Sequence, residues 1–446
     1  MRAREPRYPR AGEFRSIDTA PAGRIHRAIA VYTGGGFFVD GYILGSIGLA
    51  LPAMSESLSL SAVWQGALAA AAFAGIFVGS LISGAVSDKF GRRSLMIISP
   101  AIVVLLSAFQ FFSDSPASLL VLRVGLGIMC GAEYALGPAL LSEFVPSRIR
   151  GQMMSSLTLA FTIGFAVSYV VAMSLSGTGV DAWRWMLAAS AAPAAIVFVS
   201  RLQAPESPRW LASRGRLDEA QAVIDRCFGP GYSVAESPTE PSVPSSSYRE
   251  LFSRRYAART FFAGTFWACQ VFPYFALGTF LPSLVVGLGL ASITGELLFN
   301  LVLLSGTFLG WLYIDRFGRR PLVIWSFLAI AALLALLSIA SGAPVWLLGT
   351  AFVLLTLVIA FSANLEAVYP AEIFPTNLRA TGAGFAAGFS RIGAAISTFV
   401  LPTVIDTFGI CATMLMLAGV ALVGFAISVP LAPETNGVAL RDAGSV

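Results

Sequence analysis

Apolar residues run along this chain in stretches of about 20, broken by short polar segments, over most of its 446 residues. A stretch of that length crosses a ~30 Å hydrocarbon core as an α-helix, whereas a membrane β-barrel would show alternating segments of ~10 residues. The pattern predicts spans at 28–51, 64–86, 94–112, 117–142, 155–176 and 183–202, then at 260–285, 294–314, 321–340, 344–368, 381–404 and 410–431. The expected fold class is an all-α polytopic membrane protein with 12 transmembrane helices. Residues 203–259 interrupt the series. Within them Leu211, Leu217, Ala220, Val223 and Ile224 recur at helical spacing among charged neighbours, which predicts an amphipathic surface helix over Leu211–Cys227. The Ser- and Pro-rich stretch 231–247 reads as a flexible linker.

The polar breaks carry an internal repeat. Ser87-Asp88-Lys89-Phe90-Gly91-Arg92-Arg93 returns as Ile314-Asp315-Arg316-Phe317-Gly318-Arg319-Arg320, with Asp88 and Asp315 227 residues apart. Glu143, Pro146 and Arg150 return as Glu372, Pro375 and Arg379, 229 residues later, and Pro205-Glu206-Ser207 returns as Pro433-Glu434-Thr435, 228 later. Motifs in one register, in matching loops, mean two six-helix parallel repeats with a substrate site between them. The expected units are a tail at 1–27, bundles at 28–202 and 260–432, a connecting segment at 203–259 and a second tail at 433–446.

Composition sharpens this picture. Hydrophobic residues are 56% of the chain and charged residues 12%, about half the charged fraction of a soluble protein. The net charge of +5 does not indicate nucleic acid, because the basic residues form no single soluble face. Of 29 Lys and Arg, only Arg123, Arg184 and Arg391 fall outside segments assigned to the cytoplasmic side, and this positive-inside bias places both termini in the cytoplasm of a plasma (inner) membrane protein. The tail 1–27 holds seven Arg and the only His, His26, and reads as solvated, with electrostatic contact to anionic lipid as a second reading. It lacks the apolar core of a cleavable signal, so the first span is expected to insert uncleaved. Cys130, Cys227, Cys269 and Cys411 form no spaced pair and read as small apolar residues. No phosphate-binding loop is present, which argues against ATP drive, and no Cys/His/acid cluster points to a metal, a cofactor or an enzyme.

With these motifs in place, the chain resembles the major facilitator superfamily, and within it the sugar-porter-like branch that includes proton symporters of sugars, phosphate and organic acids. The doubled Asp-Lys/Arg-Phe-Gly-Arg-Arg loop, Pro-Glu-Ser-Pro-Arg after the sixth span and Pro-Glu-Thr-Asn-Gly after the twelfth carry the resemblance, over about 28–437. It implies a functional monomer that moves a small-molecule substrate across the lipid bilayer by alternating access. It also implies that Asp88, Gly91, Arg92, Glu143, Arg150 and Glu206, with Asp315, Gly318, Arg319, Glu372, Arg379 and Glu434, form a cytoplasmic gate of ion pairs. Topological signalling alone would need only the arginines, whereas acids recur at matching positions in both halves. Gly91 and Gly318 are expected to permit tight turns.

Ionisable residues inside the membrane are costly and therefore informative. Asp40 lies about 12 residues into the first span and Arg123 about six into the fourth from the other side, depths of roughly 18 Å and 9 Å at ~1.5 Å per residue. Across a ~30 Å core these nearly meet, which predicts an Asp40–Arg123 pair. Such a pair is either structural or the proton carrier, with Asp40 protonation freeing Arg123. The family resemblance favours protons as the coupling ion, through an acid on the first span and an Arg on the fourth. The chain departs from it in that Ile43 follows Asp40-Gly41-Tyr42 where sugar porters have Asp. Glu133, ten residues inward of Arg123, reads as a substrate ligand or second proton site. Tyr42, Gln270, Tyr274, Asn300, Asn364 and Arg391 complete the candidate substrate site. Arg391 suits an anion, or else pairs with Glu366 or Asn364. Phe37, Phe38, Trp267 and Phe275 line a cavity or face lipid. The sequence thus supports proton-coupled uptake of a small organic solute, such as an organic or aromatic acid. The alternatives are a sugar or polyol transporter, working as symporter or facilitator, and proton-driven drug efflux. A single Gln on the seventh span, where sugar porters often have a pair, weakens a hexose reading.

Overall fold

The computed structural model describes residues 15–16, 23–145, 147–179, 181–233, 248–282, 284, 293–340, 343–374 and 378–435. The side chains of Asp88, Glu143, Arg150, Asp315 and Arg379, and all of Pro146 and Pro375, lie outside that description, as do 234–247 of the linker. The first half consists of α1 (Arg24–Leu58), α2 (Ala62–Phe90), α3 (Arg92–Phe111), α4 (Pro116–Phe144), α5 (Ser147–Leu175) and a sixth span made of α6 (Ala182–Ala188) and α7 (Ala191–Arg201). Two short helices, α8 (Pro208–Ser213) and α9 (Leu217–Phe228), precede a single turn, α10 (Tyr248–Leu251). The second half comprises α11 (Ala257–Thr279), α12 (Ile293–Tyr313), α13 (Arg319–Ile339), a tenth span made of α14 (Val345–Ser362) and α15 (Leu365–Ile373), and α16 (Arg379–Leu431). Among the described residues nine segments are long and apolar enough to cross a bilayer. The last of these is two spans divided at Gly409, whose φ of 79° ends one helix before the next begins, and α11 and α12 complete the twelve.

Local chemistry sets the helix starts. Ser61, Ser115 and Ser207 cap α2, α4 and α8, each hydroxyl accepting a backbone N–H three residues on, and Pro116 and Pro208 occupy first-turn positions where no donor is missed. Small residues set the closest packing. A Cβ on Gly75 or Gly79 would run into the Val124 or Ile128 carbonyl, so α2 and α4 meet backbone to backbone, as four-residue glycine spacing predicts.

Three expectations change. The predicted amphipathic helix is two helices, because Gly215 takes φ 75° between α8 and α9. Leu217, placed on the buried face, is 65% exposed, while Ala220 and Ile224 are buried. The first span starts at Arg24, not 28, and buries His26, whose ring meets Phe228 of α9 edge-on at 5.7 Å. The tail is also paired at one point, where β1 (Arg15–Ser16) lies parallel to β2 (Tyr232–Ser233).

Loops bearing the repeated motifs gather on one face, here called the basic face. The two halves are packed tightly on the other side. There the Tyr169 hydroxyl donates to the Gly278 carbonyl, Phe275 sits 4.5 Å from Phe73 between ring centres, and Gly66 rests on the Phe399 backbone.

Candidate functional site

Midway through the bundle, buried charges from both halves converge. Glu133 of α4 receives Arg201 of α7 through two parallel bonds, Nη1 to Oε1 at 2.6 Å and Nη2 to Oε2 at 2.7 Å. The Ser99 hydroxyl of α3 donates to the same Oε1 at 2.6 Å. Arg201 spends its remaining donors on the Tyr32 and Met96 carbonyls. Four spans are tied by one saturated pair, and Gly36 of α1 lies so close that a Cβ there would strike Glu133 and Arg201. A planar fork suits this task where a lysine would not.

Arg201 was not among the expected site residues. At the end of the span expected over 183–202, it reads in sequence as one of the cytoplasmic cations, yet the structure turns it inward and buries it completely. The available signal was Glu133 itself, since a lone acid at membrane depth requires a partner.

The expected Asp40–Arg123 pair is absent: among the described residues no ion pair joins them. Asp40 stands beside the Cys130 thiol and within electrostatic reach of Glu133, Arg201 and Arg391. Cys130 lies seven residues along α4 from Arg123, about 10 Å of helix. The depth estimate set Asp40 level with Arg123, whereas the packing of α1 on α4 sets it level with Cys130. Arg123 instead donates Nε to the Leu68 carbonyl of α2 at 2.9 Å. Asp40 Oδ2 and Arg123 Nη2 are buried without a hydrogen-bond partner.

Arg391 of α16 lies over the Tyr134 ring at 4.2 Å and is 4% exposed. No carboxylate lies within ion-pair distance of it among the described residues, so it pairs with neither Glu366 nor Asn364. Glu366 takes the Trp267 indole N–H at 2.9 Å. Asn364, at the break between α14 and α15, donates to the Thr307, Ala360 and Phe361 carbonyls. Tyr274 lies close to Thr162 across the two halves. Gln270, 1% exposed, has neither end of its amide engaged. Asn300 is buried on α12, and Tyr42 is buried with no charged neighbour among the described residues. Tyr134, next to Glu133 in sequence, sits electrostatically between Asp40, Glu366 and Arg391 and packs on Phe37 at 5.0 Å. Nothing in the sequence alone singles out Tyr134.

On the basic face the repeat is matched by geometry. Glu206 accepts the backbone N–H groups of Arg92 and Arg93, both at 3.1 Å, at the start of α3. Glu434 accepts those of Arg319 and Arg320, at 2.9 and 3.3 Å, at the start of α13. Arg93 and Arg320 then reach back to the Leu202 and Val429 carbonyls. The two acids act as helix caps reaching in from a distant loop and oppose the positive end of the helix dipole. Between side chains, Arg319 pairs with Glu372 at 3.2 Å, and Thr435 donates to Glu372 at 2.6 Å. The expected turn role holds for Gly91, at φ 92°; Gly318 has φ −60° and is required for clearance, since a Cβ there would meet the Glu434 carboxylate. Glu434→Ala is expected to cost about 1 kcal/mol through loss of this cap, measured as a lower thermal midpoint in detergent.

These features match known transporters. The family model for sugar (and other) transporters covers residues 29–445. This chain belongs to that family. As a member of it, within the major facilitator superfamily, the chain is a multi-pass membrane transporter and not an enzyme. It is 37% identical over 432 residues to the inner membrane metabolite transport protein YgcS of Escherichia coli, covering 96% of each chain. It is 36% identical to the putative metabolite transport protein YaaU of the same organism, over 97% of each. In three dimensions it resembles the xylose transporter XylE from E. coli in a partially occluded inward-open conformation, with TM-score 0.79, 19% identity and coverage of 94% and 100%.

Proposed function

We propose that this family member is a proton-coupled symporter that imports a small organic anion by alternating access, with both termini in the cytoplasm. The observation that carries the anion is Arg391, a buried cation at the seam between the halves that lies over an aromatic ring and, among the described residues, has no carboxylate within ion-pair distance. A bound carboxylate would complete it with charge-assisted bonds. Gln270, with both ends of its amide free, and Tyr274 one turn on supply neutral hydrogen bonds, while Trp267, Phe275 and Phe37 form apolar walls suited to an aromatic or short aliphatic acid. Asp40 is the proton carrier. Glu133, already saturated by Arg201, holds the first half rigid around it. Residues 28–202 and 260–432 rock about this centre as two bundles, with 203–259 joining them and the caps at Glu206 and Glu434 stabilising the basic face. The packed far side corresponds to closure toward the exterior. The protein works as a monomer.

The second reading, a pentose or other sugar, has its support in XylE, described as a proton:xylose symporter, and in the unengaged amide of Gln270. Proteoliposomes separate the two. One proton moving with a monoanion is electroneutral, so an imposed pH gradient drives accumulation and a potassium diffusion potential does not. A sugar moving with a proton responds to both. Benzoate-like, nicotinate-like and short dicarboxylic acids should be screened beside pentoses, hexoses and inositols. For an acid substrate, Arg391→Gln is expected to raise the half-saturating concentration by at least tenfold, the weight of ~1.5–3 kcal/mol for a charged hydrogen bond. Uptake of sugars alone, driven by voltage, would overturn the anion reading.

A further inference from the structure

Apart from the central site, the described residues form a cleft of about 1010 Å³ on the basic face. Its walls are the first turns of α1 and α3, the end of α2, the loop 202–206 and helices α8 and α9. Every lining residue belongs to the first half or to the segment 203–228 that follows it, and none to the second half. A translocation path runs between the two halves, so this cleft is not part of it.

Its chemistry is divided. Arg24, Arg93, Arg216 and Arg226 line it, against two acids, Glu206 and Glu219. Both acids are occupied. Glu206 is filled by the backbone amides of Arg92, Arg93 and Ser207. Glu219 is paired with Arg216 at 2.6 Å, and that guanidinium holds its carboxyl below the ordinary value. Arg24 and Arg226 are exposed and, among the described residues, make no ion pair, so the cleft keeps positive charge that no described acid neutralises. Its other wall is apolar and open, with Phe90 60% and Leu202 46% exposed where the second and sixth spans end. Cationic groups above an apolar wall, at the level where spans leave the membrane, complement a molecule with a charged phosphate and a hydrocarbon tail.

We propose that this cleft binds the phosphate headgroup of an anionic phospholipid, held by Arg24 and Arg226 with its acyl chain along Phe90 and Leu202. Bound there, the lipid joins the start of the first span, which carries Asp40, to α9. The site is independent of which solute is carried.

The test uses the full chain, purified in detergent. Native mass spectrometry would titrate phosphatidylglycerol and phosphatidylcholine against wild type, Arg24→Ala/Arg226→Ala and the control Arg254→Ala/Arg255→Ala, which removes two exposed arginines elsewhere on the same face. Inorganic phosphate and glycerol 3-phosphate would be added as competitors. Wild type is expected to retain one phosphatidylglycerol in preference to phosphatidylcholine. The cleft variant should bind it about thirtyfold more weakly, from ~1 kcal/mol per arginine, and the control should bind as wild type. A matching loss in the control would mean diffuse surface attraction and overturn the site. So would equal binding by the cleft variant. Displacement of the lipid by millimolar phosphate or glycerol 3-phosphate would assign the cleft to a soluble anion instead. Because these arginines are exposed, an unchanged elution profile and thermal midpoint separate lost binding from misfolding.

Discussion

Arg201→Ala is expected to destabilise the protein by about 3–5 kcal/mol, the largest effect of any single substitution outside the gate loops. Removing one member of a buried pair leaves the other charge desolvated and alone. Here the stranded group would be Glu133, which would keep only the Ser99 hydroxyl as a side-chain partner. The loss would also release the Tyr32 and Met96 carbonyls, so α1, α3, α4 and α7 would slacken together. Glu133→Ala should cost a similar amount, since it strands the guanidinium. The double replacement Glu133→Leu/Arg201→Met should recover most of either loss, because an apolar pair of similar size need not be desolvated as ions. Intrinsic-fluorescence melting in detergent, ranked across the four proteins, checks this. Two single variants within about 1 kcal/mol of wild type would show that the pair is not a structural tie.

That pair also marks where reading the sequence stopped. The twelve spans were legible because an apolar run of ~20 residues has few other uses, and the duplicated loops revealed the two halves because a repeat in register is a one-dimensional signal. The caps formed by Glu206 and Glu434 were legible only as acids near arginines. That they hold backbone N–H groups rather than guanidinium groups depends on the path of the loop, which no spacing encodes. Depth in the membrane was read from run boundaries, and it failed for Asp40 because a run boundary does not fix how one helix slides against another: α1 sets Asp40 beside Cys130 and not beside Arg123. Arg201 was misassigned for a related reason. A residue at the end of a run can snorkel outward or turn inward, and only the position of Glu133 on another helix decides which. Tyr134 was hidden for lack of any signal, since one more aromatic residue in an apolar helix is unremarkable until three charged groups are placed around it. Helix existence is local, whereas the match of one helix's residues to another's is tertiary.

Asp40→Asn is expected to abolish uphill accumulation while leaving exchange intact. The carboxyl lies buried, with one oxygen unpartnered and the other environment supplied by the Cys130 thiol. Glu133 is nearby, and its charge is already taken by Arg201. Asp40 is therefore the central carboxyl of the first half left without an ion-pair partner among the described residues, since both oxygens of Glu133 are taken by Arg201. Asparagine preserves the size of the side chain and fixes it in a neutral state, so the bundles could still exchange between their two arrangements without a proton. In proteoliposomes with one unit of imposed pH difference, wild type should approach about tenfold accumulation for one proton per solute, the equivalent of ~1.4 kcal/mol. The variant should equilibrate at a ratio near one, yet still swap labelled for unlabelled solute. Cys130→Ala serves as the companion: it removes the thiol neighbour but no titrating acid of the pathway, and it should shift the pH at which uptake is half-maximal without uncoupling transport. If Asp40→Asn accumulates solute as wild type does, the proton travels elsewhere. Glu133 is then the other acid within reach of Asp40 among the described residues, and the saturated pair with Arg201 would have to open during each cycle.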